Sequence, residues 1–319
     1  ITLVGAMIVR ERPSGLRLLL VLRGSVLQRI QRSLLLNIAL ATLVTAVHGN
    51  LFSLKITLTP IPFTLIGLPL AIFLGFRNTT AYDRYWEGRK LWGELVHRTR
   101  SLSRQCLGWI EGGGPIAAAR RDTDVRVRII HRAIAFAHVL RMRLRDQRDE
   151  ALLQQWLTPA DFDAVREASD PASMILLDIG RDLGECVRTD RIQPCLAASI
   201  DGTLSSLAAV AASCERIKNT PIPFSYTLLL HRTAYMYCFL LPFGLVDTTG
   251  FMTPFVVGIV AYTFFGLDAL GDEIEEPFGL ENNDLPLDML CRSIEISLLE
   301  SLGEKDLPAP VEVDNFRLT

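Results

Sequence analysis

The stretch that decides the fold is Phe76-Arg77-Asn78-Thr79-Thr80-Ala81-Tyr82-Asp83-Arg84-Tyr85-Trp86. A long apolar run precedes it, and within a few residues it brings cations, a carboxylate and three amphipathic aromatic side chains. Lys and Arg are concentrated on the cytoplasmic flank of a membrane span, and Trp and Tyr favour the membrane–water interface. The stretch therefore predicts a span that leaves the membrane on its cytoplasmic side.

The composition predicts apolar spans attached to a sizeable polar domain. The 319 residues are 49% hydrophobic and 21% charged, with a mean hydropathy of +0.27. A formal net charge of −2 argues against nucleic acid as a partner, because phosphate binding needs a concentrated cationic face. The cysteines occur singly, which indicates reduced thiols and not a disulfide framework or a zinc site: Cys106, Cys186, Cys195, Cys214, Cys238 and Cys291.

Four segments of the chain are apolar enough to cross a membrane as helices. Each is close to the roughly 20 residues that a helix needs to cross about 30 Å of hydrocarbon. They cover residues 33–52, 58–76, 226–246 and 251–267. His231 and Arg232 lie inside the third segment and Asp268 follows the fourth, so we expect these two helices to tilt, to bend or to be partly buried.

The cations that flank these segments predict their orientation. Before the first segment come Arg10, Arg12, Arg17, Arg23, Arg29 and Arg32. The loop after it carries only Lys55 and His48, and the connection between the third and fourth segments holds Asp247 and no cation. Because Lys and Arg accumulate on the cytoplasmic side, both hairpin tips should point away from the cytoplasm. Both termini and the middle of the chain are then cytoplasmic.

The middle of the chain has the pattern of a helical bundle. Apolar residues at three- and four-residue spacing form one stripe, which comprises Ile129, Ile130, Ala133, Ile134, Ala137 and Leu140. Thr158-Pro159 and Asp170-Pro171 are typical of helix starts, and the run from Gly112 to Pro115 should separate two long helices. No run alternates as a strand would, so the predicted fold class is all-α.

The predicted organisation is that of a multi-pass membrane protein with four transmembrane helices and a cytoplasmic helical bundle. Its segments are an N-terminal cytoplasmic segment (1–32), a hairpin with the neck helix (33–77), a cytoplasmic helical domain (78–225), a second hairpin (226–270) and a C-terminal cytoplasmic segment (271–319).

Enzyme motifs are not found in the sequence. His131 and His138 share a helical face, but no H-E-x-x-H arrangement accompanies them, so we interpret them as surface or packing residues. The glycines from Gly112 to Gly114 lack the preceding strand and the following Lys-Ser/Thr of a phosphate loop. The sequence therefore predicts a protein that is not an enzyme and requires no cofactor.

The second apolar segment carries a regular stripe of large side chains. Spaced by 4, 3, 4 and 4 positions, these are Ile61, Leu65, Leu68, Ile72 and Phe76. Pro69 should kink the helix, and Gly67 and Gly75 permit close approach of neighbouring backbones. Periodicity alone favours an ordinary packed stripe. The alternative is a symmetric oligomer in which the stripe lines an apolar constriction that gates by dewetting.

A motif in this segment resembles the bestrophin family of ion channels. Those channels carry an apolar neck of the form I-P-x-x-F-V-L-G-F, and the run Leu68-Pro69-Leu70-Ala71-Ile72-Phe73-Leu74-Gly75-Phe76 is similar to it, keeping the proline and the Leu-Gly-Phe ending. Further runs, in order from about residue 25 to 302, resemble bacterial members: Cys214-Glu215-Arg216, Thr220-Pro221-Ile222-Pro223-Phe224-Ser225-Tyr226, Met252-Thr253-Pro254-Phe255, Glu276-Pro277-Phe278-Gly279 and Asn283-Asp284-Leu285-Pro286.

The resemblance implies a homopentamer around one axial pore in the bacterial inner membrane, with small monovalent ions passing passively. Its partners would be further copies of itself, the bilayer and these ions. The neck would be formed by Leu68, Ile72 and Phe76, below an upper stripe of Ile61 and Leu65. The family's second, cytoplasmic constriction would fall near Ile192 and Cys195, where an ordinary loop-to-helix junction is the alternative.

Departures from the family pattern leave the permeant ion open. Animal bestrophins are chloride channels with two neck phenylalanines, whereas this chain has Ile72 at the first of those places and keeps Phe76. Aromatic edges carry a partial positive charge that can favour anions, so the loss of one set of aromatic side chains puts the chloride selectivity of the family in doubt. The resemblance to bacterial members implies that cation permeation is equally possible. The alternative of a different class is a non-conducting membrane scaffold or signalling protein on the same fold.

The stretch Leu280-Glu281-Asn282-Asn283-Asp284 occupies the place of the calcium clasp in animal bestrophins. It holds only two carboxylates, whereas calcium takes roughly six to eight oxygen ligands. The preferred interpretation is that Asp284 caps a helix that starts at Leu285-Pro286. Calcium ligation by Glu281 and Asp284 is the alternative.

Overall fold

The computed structural model describes residues 7–8, 24–47, 50–51, 54–55, 59–112, 122–311 and 317–318. Within them the fold is helical, as predicted. The exceptions are two pairs of two-residue strands. The helices are α1 (Leu27–Ala46), α2 (Pro60–Trp109), α3 (Val125–Leu144), α4 (Glu150–Trp156), α5 (Pro159–Glu167), α6 (Pro171–Arg188), α7 (Pro194–Asn219), α8 (Phe224–Thr249), α9 (Thr253–Glu275) and α10 (Leu287–Ser301). Strand β1 (Met7–Ile8) pairs antiparallel with β4 (Arg317–Leu318), and β2 (Asn50–Leu51) with β3 (Leu54–Lys55).

The first predicted span differs from the helix that is present. Helix α1 begins six residues before residue 33 and ends at Ala46, and Asn50–Leu51 is a strand where the prediction continued the helix to Phe52. Gly49 and Asn50 are poor helix formers, which explains why the helix ends before them. Phe52, Leu58, the arginines at positions 10, 12, 17 and 23 and the run 113–115 lie outside the described residues.

Helix α2 is longer than the predicted span. It runs unbroken for 50 residues, from Pro60 to Trp109, with Pro69 inside it, so the change of polarity at Phe76 is not a helix end. By length and hydropathy, the described residues contain three stretches able to cross a membrane, which are Pro60–Trp109, Pro194–Asn219 and Phe224–Glu275. The second was not predicted. Helix α1 is absent from the three, because glutamines and arginines fill its first turns.

The chain divides into two compact units, and the predicted segment boundaries stay a prediction. The hairpin unit comprises Arg10–Tyr85 and Pro221–Glu276, and the helical unit comprises Ile1–Val9, Trp86–Thr220 and Pro277–Thr319. In the hairpin unit α1 packs on α8 and α9. Its core clusters include Ile30, Cys238 and Phe265 in one and Leu70 and Leu74 in another.

The helical unit is built around α3, which packs against α4, α6, α7 and α10. Every residue of the predicted α3 stripe is buried. The predicted helix starts are also confirmed, since Thr158 accepts a hydrogen bond from the Asp161 amide and Asp170 accepts one from the Ser173 amide. Arg132 forms an ion pair with Asp161 at 2.7 Å. Burial alone would raise the pKa of Asp161, but the hydrogen bonds and charge of Arg132 outweigh it and lower that pKa.

One polar side chain in the hairpin unit lies in an apolar setting without a partner. Asn37 is fully buried on the face of α1 that also carries Ile30, Ala41 and Val44. Neither its amide nitrogen nor its amide oxygen finds a hydrogen-bond partner in the described part of the chain. A buried polar group left unsatisfied costs about 1–3 kcal/mol. Asn37 therefore destabilises the packing of α1.

Replacing Asn37 with leucine, which branches at the same carbon but carries methyl groups in place of the amide, should raise the free energy of unfolding by about 1–3 kcal/mol. The expected result is a higher thermal unfolding midpoint of the detergent-solubilised protein. Asn219→Leu at an exposed position is the matched control, and it should change stability by less than about 0.5 kcal/mol. A lower midpoint for Asn37→Leu would show that the amide has a stabilising partner.

Candidate pore helix and its ion-pair anchor

The part of α2 within the hairpin unit has two stripes with opposite surroundings. The buried stripe packs within the unit and comprises Phe63, Leu70, Leu74, Arg77 and Ala81. The other stripe is the one that the sequence predicted as a neck and upper pore, and its large apolar side chains are all exposed: Ile61, Leu65, Leu68, Ile72 and Phe76. Their exposed fractions range from 48% for Ile72 to 69% for Leu65.

Such a stripe needs a covering, because contiguous apolar surface of this kind marks a membrane or protein contact. The single chain also exposes apolar side chains on the other helices of the unit, including Leu35 on α1, Leu229 on α8 and Phe255 on α9. Lipid or further copies of the chain would cover them equally well. The exposure of the α2 stripe is therefore compatible with a pore lining, and its assignment to a neck stays a prediction.

Small residues let α2 and α8 approach closely inside the hairpin unit. A Cβ atom at Gly67 would lie 2.8 Å from the Tyr237 hydroxyl, and one at Gly244 would overlap the ring of Phe63. The glycine at position 67 therefore makes room for a tyrosine side chain of α8, and not for a neighbouring backbone as expected. At Gly75 a Cβ atom would meet nothing within 4 Å, so the close contact expected there does not occur within the described chain.

Arg77, the residue after Phe76, is anchored inside the hairpin unit. The sequence placed it among the cations of the interface, but its side chain is wholly buried. One guanidinium nitrogen, Nη1, donates to the Asp268 carboxylate at 2.9 Å and to the Asp268 carbonyl oxygen at 3.3 Å. The other, Nη2, pairs with Asp272 and lies 3.7 Å from Glu275. Three carboxylates of α9 therefore hold one arginine of α2.

Asp268 also connects this arginine to α8. Its Oδ2 lies 2.6 Å from Nδ1 of His231, while its Oδ1 binds Arg77. A Cβ atom at Gly271 would lie 2.5 Å from the Asn78 side-chain oxygen and 3.4 Å from the Arg77 guanidinium carbon, so the glycine leaves room for this contact. The polar residues that marked the third and fourth predicted spans as unusual, His231 and Asp268, thus bind each other.

The two residues predicted for the cytoplasmic aperture have different surroundings in the helical unit. Ile192 is 5% exposed, and Cys195, in the first turn of α7, is exposed. A pore-lining side chain has to reach solvent, so of these two only Cys195 meets that requirement within the single chain. The aperture stays a prediction, with Cys195 as the side chain that carries it.

The loop before α10 is closed by the protein's own groups. The Asp284 carboxylate accepts a hydrogen bond from the Glu281 amide at 2.6 Å, and the Leu285 amide donates to the Pro277 carbonyl at 2.9 Å. Helix α10 starts at Leu287 without a side-chain cap, so the prediction that Asp284 caps it is wrong. The carboxylate closes a turn that precedes the helix.

The calcium alternative for this loop stays a prediction. Among the residues that the structure describes, no group of three or more His, Cys, Asp or Glu side chains is placed to share a metal ion. Because calcium takes roughly six to eight oxygen ligands, Glu281 and Asp284 would leave most of them to carbonyls and water. Arg145 lies near this loop and donates to the Phe278 and Leu285 carbonyls at 3.3 Å each.

The histidines of α3 take part in packing. His138 is buried and its Nε2 bonds to the carboxylate of Glu295, which Arg292 also contacts at 2.6 Å. The ring of His131 meets the ring of Trp156 edge-on, with centroids 5.7 Å apart. Neither arrangement holds a nucleophile beside the histidine.

The long apolar helices and their outward apolar side chains define a multi-pass helical membrane protein. A family model described as "Bacterial/Fungal Bestrophin protein" matches residues 7–300. The chain belongs to the bestrophin family, as the motif around Leu68–Phe76 predicted.

Named relatives and solved structures agree with this membership. The chain is 43% identical over 314 residues to the voltage-dependent anion channel-forming protein YneE of Escherichia coli K12, which covers 98% of this chain and 100% of the relative. A voltage-dependent anion channel-forming protein of Mesorhizobium japonicum is 44% identical over 308 residues, covering 95% and 96%. The crystal structure of a bacterial bestrophin homolog from Klebsiella pneumoniae superposes with a TM-score of 0.79 at 38% identity, covering 86% of this chain and 99% of that one.

The cysteines give a test of the described surfaces. Cys195 is exposed and the other five are buried, so a polar maleimide should label one thiol per chain in the folded protein. Burial also raises the pKa of Cys291 to about 12, which suppresses its reactive thiolate. Mass spectrometry of the labelled protein should show the label lost in Cys195→Ser and kept in Cys291→Ser. A second fast-reacting thiol would contradict the burial of the remaining cysteines.

Proposed function

We propose that this protein is an ion channel that passes small monovalent ions passively across the bacterial inner membrane. The observation that carries the proposal is the exposed apolar stripe of α2, whose motif resembles the neck of bestrophins, the family to which the chain belongs. The relatives named as voltage-dependent anion channel-forming proteins support the same activity.

The proposed assembly is a homopentamer around one axial pore. Five copies of α2 would place Leu68, Ile72 and Phe76 in successive rings, which covers the stripe that the single chain leaves exposed. Rings of this kind form an apolar constriction that gates by dewetting. We place α1, the first part of α2, α8 and α9 in the membrane, with both termini on the cytoplasmic side as the arginine distribution favours.

Two rings of the proposed neck bear on selectivity in opposite ways. Phe76 would direct aromatic edges toward a permeating ion, and such edges favour anions. Ile72 would contribute aliphatic side chains without that partial charge, which removes part of the preference for anions. The names of the relatives support an anion. Ion selectivity is therefore the part of the proposal that a measurement can test most directly.

The first experiment is the reversal potential of the purified protein in a planar bilayer under a KCl gradient. A reversal near the chloride equilibrium potential would mean that the Phe76 ring suffices for anion selectivity. A reversal near the potassium equilibrium potential would mean a cation channel with Ile72 as its main determinant. If verified pentamers conduct nothing, the channel proposal fails in favour of a non-conducting membrane scaffold.

Truncating the neck should enlarge the pore. Ile72→Ala and Phe76→Ala remove bulk from the proposed constriction, so single-channel conductance should rise by about two- to fivefold. The matched control is Phe255→Ala on α9, a phenylalanine 63% exposed against 61% for Phe76, which we assign to lipid. Its conductance should equal that of the unmodified protein.

The pentamer has to be verified in each variant by native mass spectrometry. Neck variants that stay pentameric yet conduct as before would rule out this neck. An equal rise in conductance for Phe255→Ala would show that the effect is not specific to the α2 stripe.

A further inference from the structure

Phe76 and Arg77 are adjacent in α2 and face opposite surroundings. The Phe76 ring is 61% exposed, whereas Arg77 is 1% exposed and enclosed by the hairpin unit. Consecutive side chains of a helix lie about 100° apart around its axis, so fixing the direction of one fixes the direction of the other. Whatever holds Arg77 therefore also sets how far the Phe76 ring projects from the stripe.

The helix between Pro69 and Arg77 carries both lower neck residues. Proline cannot donate the helical hydrogen bond and clashes with the preceding turn, so Pro69 is the weak point of α2. Beyond it the helix is held by the packing of Leu70 and Leu74 on α8, and then by the ion pairs of Arg77. The segment of α2 after Pro69 is thus held by apolar contacts along its length and by the Arg77 ion pairs at its C-terminal end.

The attachment involves three helices that meet at Asp268. Arg77 of α2 binds one carboxylate oxygen at 2.9 Å, and His231 of α8 binds the other at 2.6 Å. Charge-assisted hydrogen bonds of this kind are roughly twice as strong as neutral ones. The His231 side chain is 46% exposed, whereas Asp268 is 4% exposed, so the histidine is the member of the network that lies at the surface of the single chain.

We propose that Arg77, Asp268 and His231 form a positioning network that holds Phe76 in the neck, and that proton binding to His231 tightens this network and lowers conductance. The inference rests on the proposed channel function. None of the three side chains is assigned to the pore. They act by fixing the direction of the part of α2 that follows Pro69.

The charged groups around His231 determine the expected sign of the effect of pH on conductance. From α9, Asp268 binds it directly, with Asp272 and Glu275 beyond on Arg77, and from α2 Arg77 shares Asp268. Arg84 donates to the Glu275 carbonyl at 3.0 Å.

Tyr235 lies beside His231 on the same helix, and the centroids of their two rings are 4.3 Å apart. The Tyr235 hydroxyl in turn forms a hydrogen bond with the Ser33 hydroxyl of α1. On α1 and α8 the arginines at positions 29, 32 and 232 are exposed.

Three carboxylates face one guanidinium in this network, so a proton on His231 adds the second positive charge. The His231–Asp268 contact then changes from a hydrogen bond with one charged partner to an ion pair, and it holds α8, α9 and α2 together more strongly. Histidine is the side chain whose charge ordinarily changes between pH 5 and 8. Conductance should therefore be lower at acid pH and rise toward alkaline pH.

The test is single-channel conductance of the full-length protein in planar bilayers at about pH 5 and about pH 8. For the unmodified protein we expect about threefold lower conductance at the acid pH, and for His231→Gln no difference. The matched control His97→Gln changes an exposed histidine of the helical unit and should keep the pH dependence. Survival of the pH dependence in His231→Gln, or its absence from the unmodified protein, would overturn the inference.

A second pair of variants tests the arginine. Arg77→Lys keeps the charge but loses the fork that binds several carboxylates, so conductance should rise by about two- to threefold, less than the removal of the ring itself allows. Arg98→Lys is its control, because Arg98 lies in the same helix and pairs with Glu94 on the surface. If Arg77→Lys fails to fold, His231→Gln alone tests the network, because the side chain that it replaces is 46% exposed in the single chain.

Phe76→Ala distinguishes the two proposals. If it raises conductance while His231→Gln and Arg77→Lys conduct and respond to pH like the unmodified protein, the neck stands and the positioning network is overturned. If the unmodified pentamer is silent, both are overturned.

Discussion

The hairpin unit depends on one buried ion-pair cluster. Arg77 brings a full positive charge into the interior, and Asp268 and Asp272 of α9 compensate it. Removing one partner of such a cluster leaves an uncompensated buried charge, which typically costs about 3–5 kcal/mol. The geometry of α2 against α8 and α9 is accordingly fixed by polar contacts as well as by apolar packing, and Gly271 leaves the space that those contacts need.

The exposed stripe on the opposite side of α2 depends on this cluster, because the cluster fixes the direction in which the stripe faces. Two stripes with helical spacing divide the helix, and the exposed one is continuous with residues that the chain does not cover. In water this stripe would drive aggregation, whereas in a membrane it would contact lipid or other copies of the chain. The resemblance of its motif to the family's neck is the basis for proposing the exposed stripe as a neck, and the buried stripe gives it a defined direction.

Much of the fold could be predicted from local patterns, and the site only in part. The α3 stripe and the caps at Thr158 and Asp170 depend on neighbouring residues, so the sequence was sufficient for them. The burial of Arg77 depends on carboxylates about 190 positions later, and no local pattern indicates that pairing. The prediction for Asp284 is wrong because a turn and a helix cap use the same residue type. Pore-lining and lipid-facing side chains are equally apolar, so spacing could not separate them.

The Arg77–Asp268 contact also constrains the order of events during synthesis. The two residues are separated by 191 positions, so Arg77 leaves the ribosome long before its partner exists. Until α9 is made, the guanidinium has to stay among water and lipid headgroups, where a long cationic side chain is stable. In the proposed topology, the first hairpin therefore enters the membrane before Arg77 has its carboxylate partners. The ion pairs at this end of the hairpin form only after α9 has been synthesised.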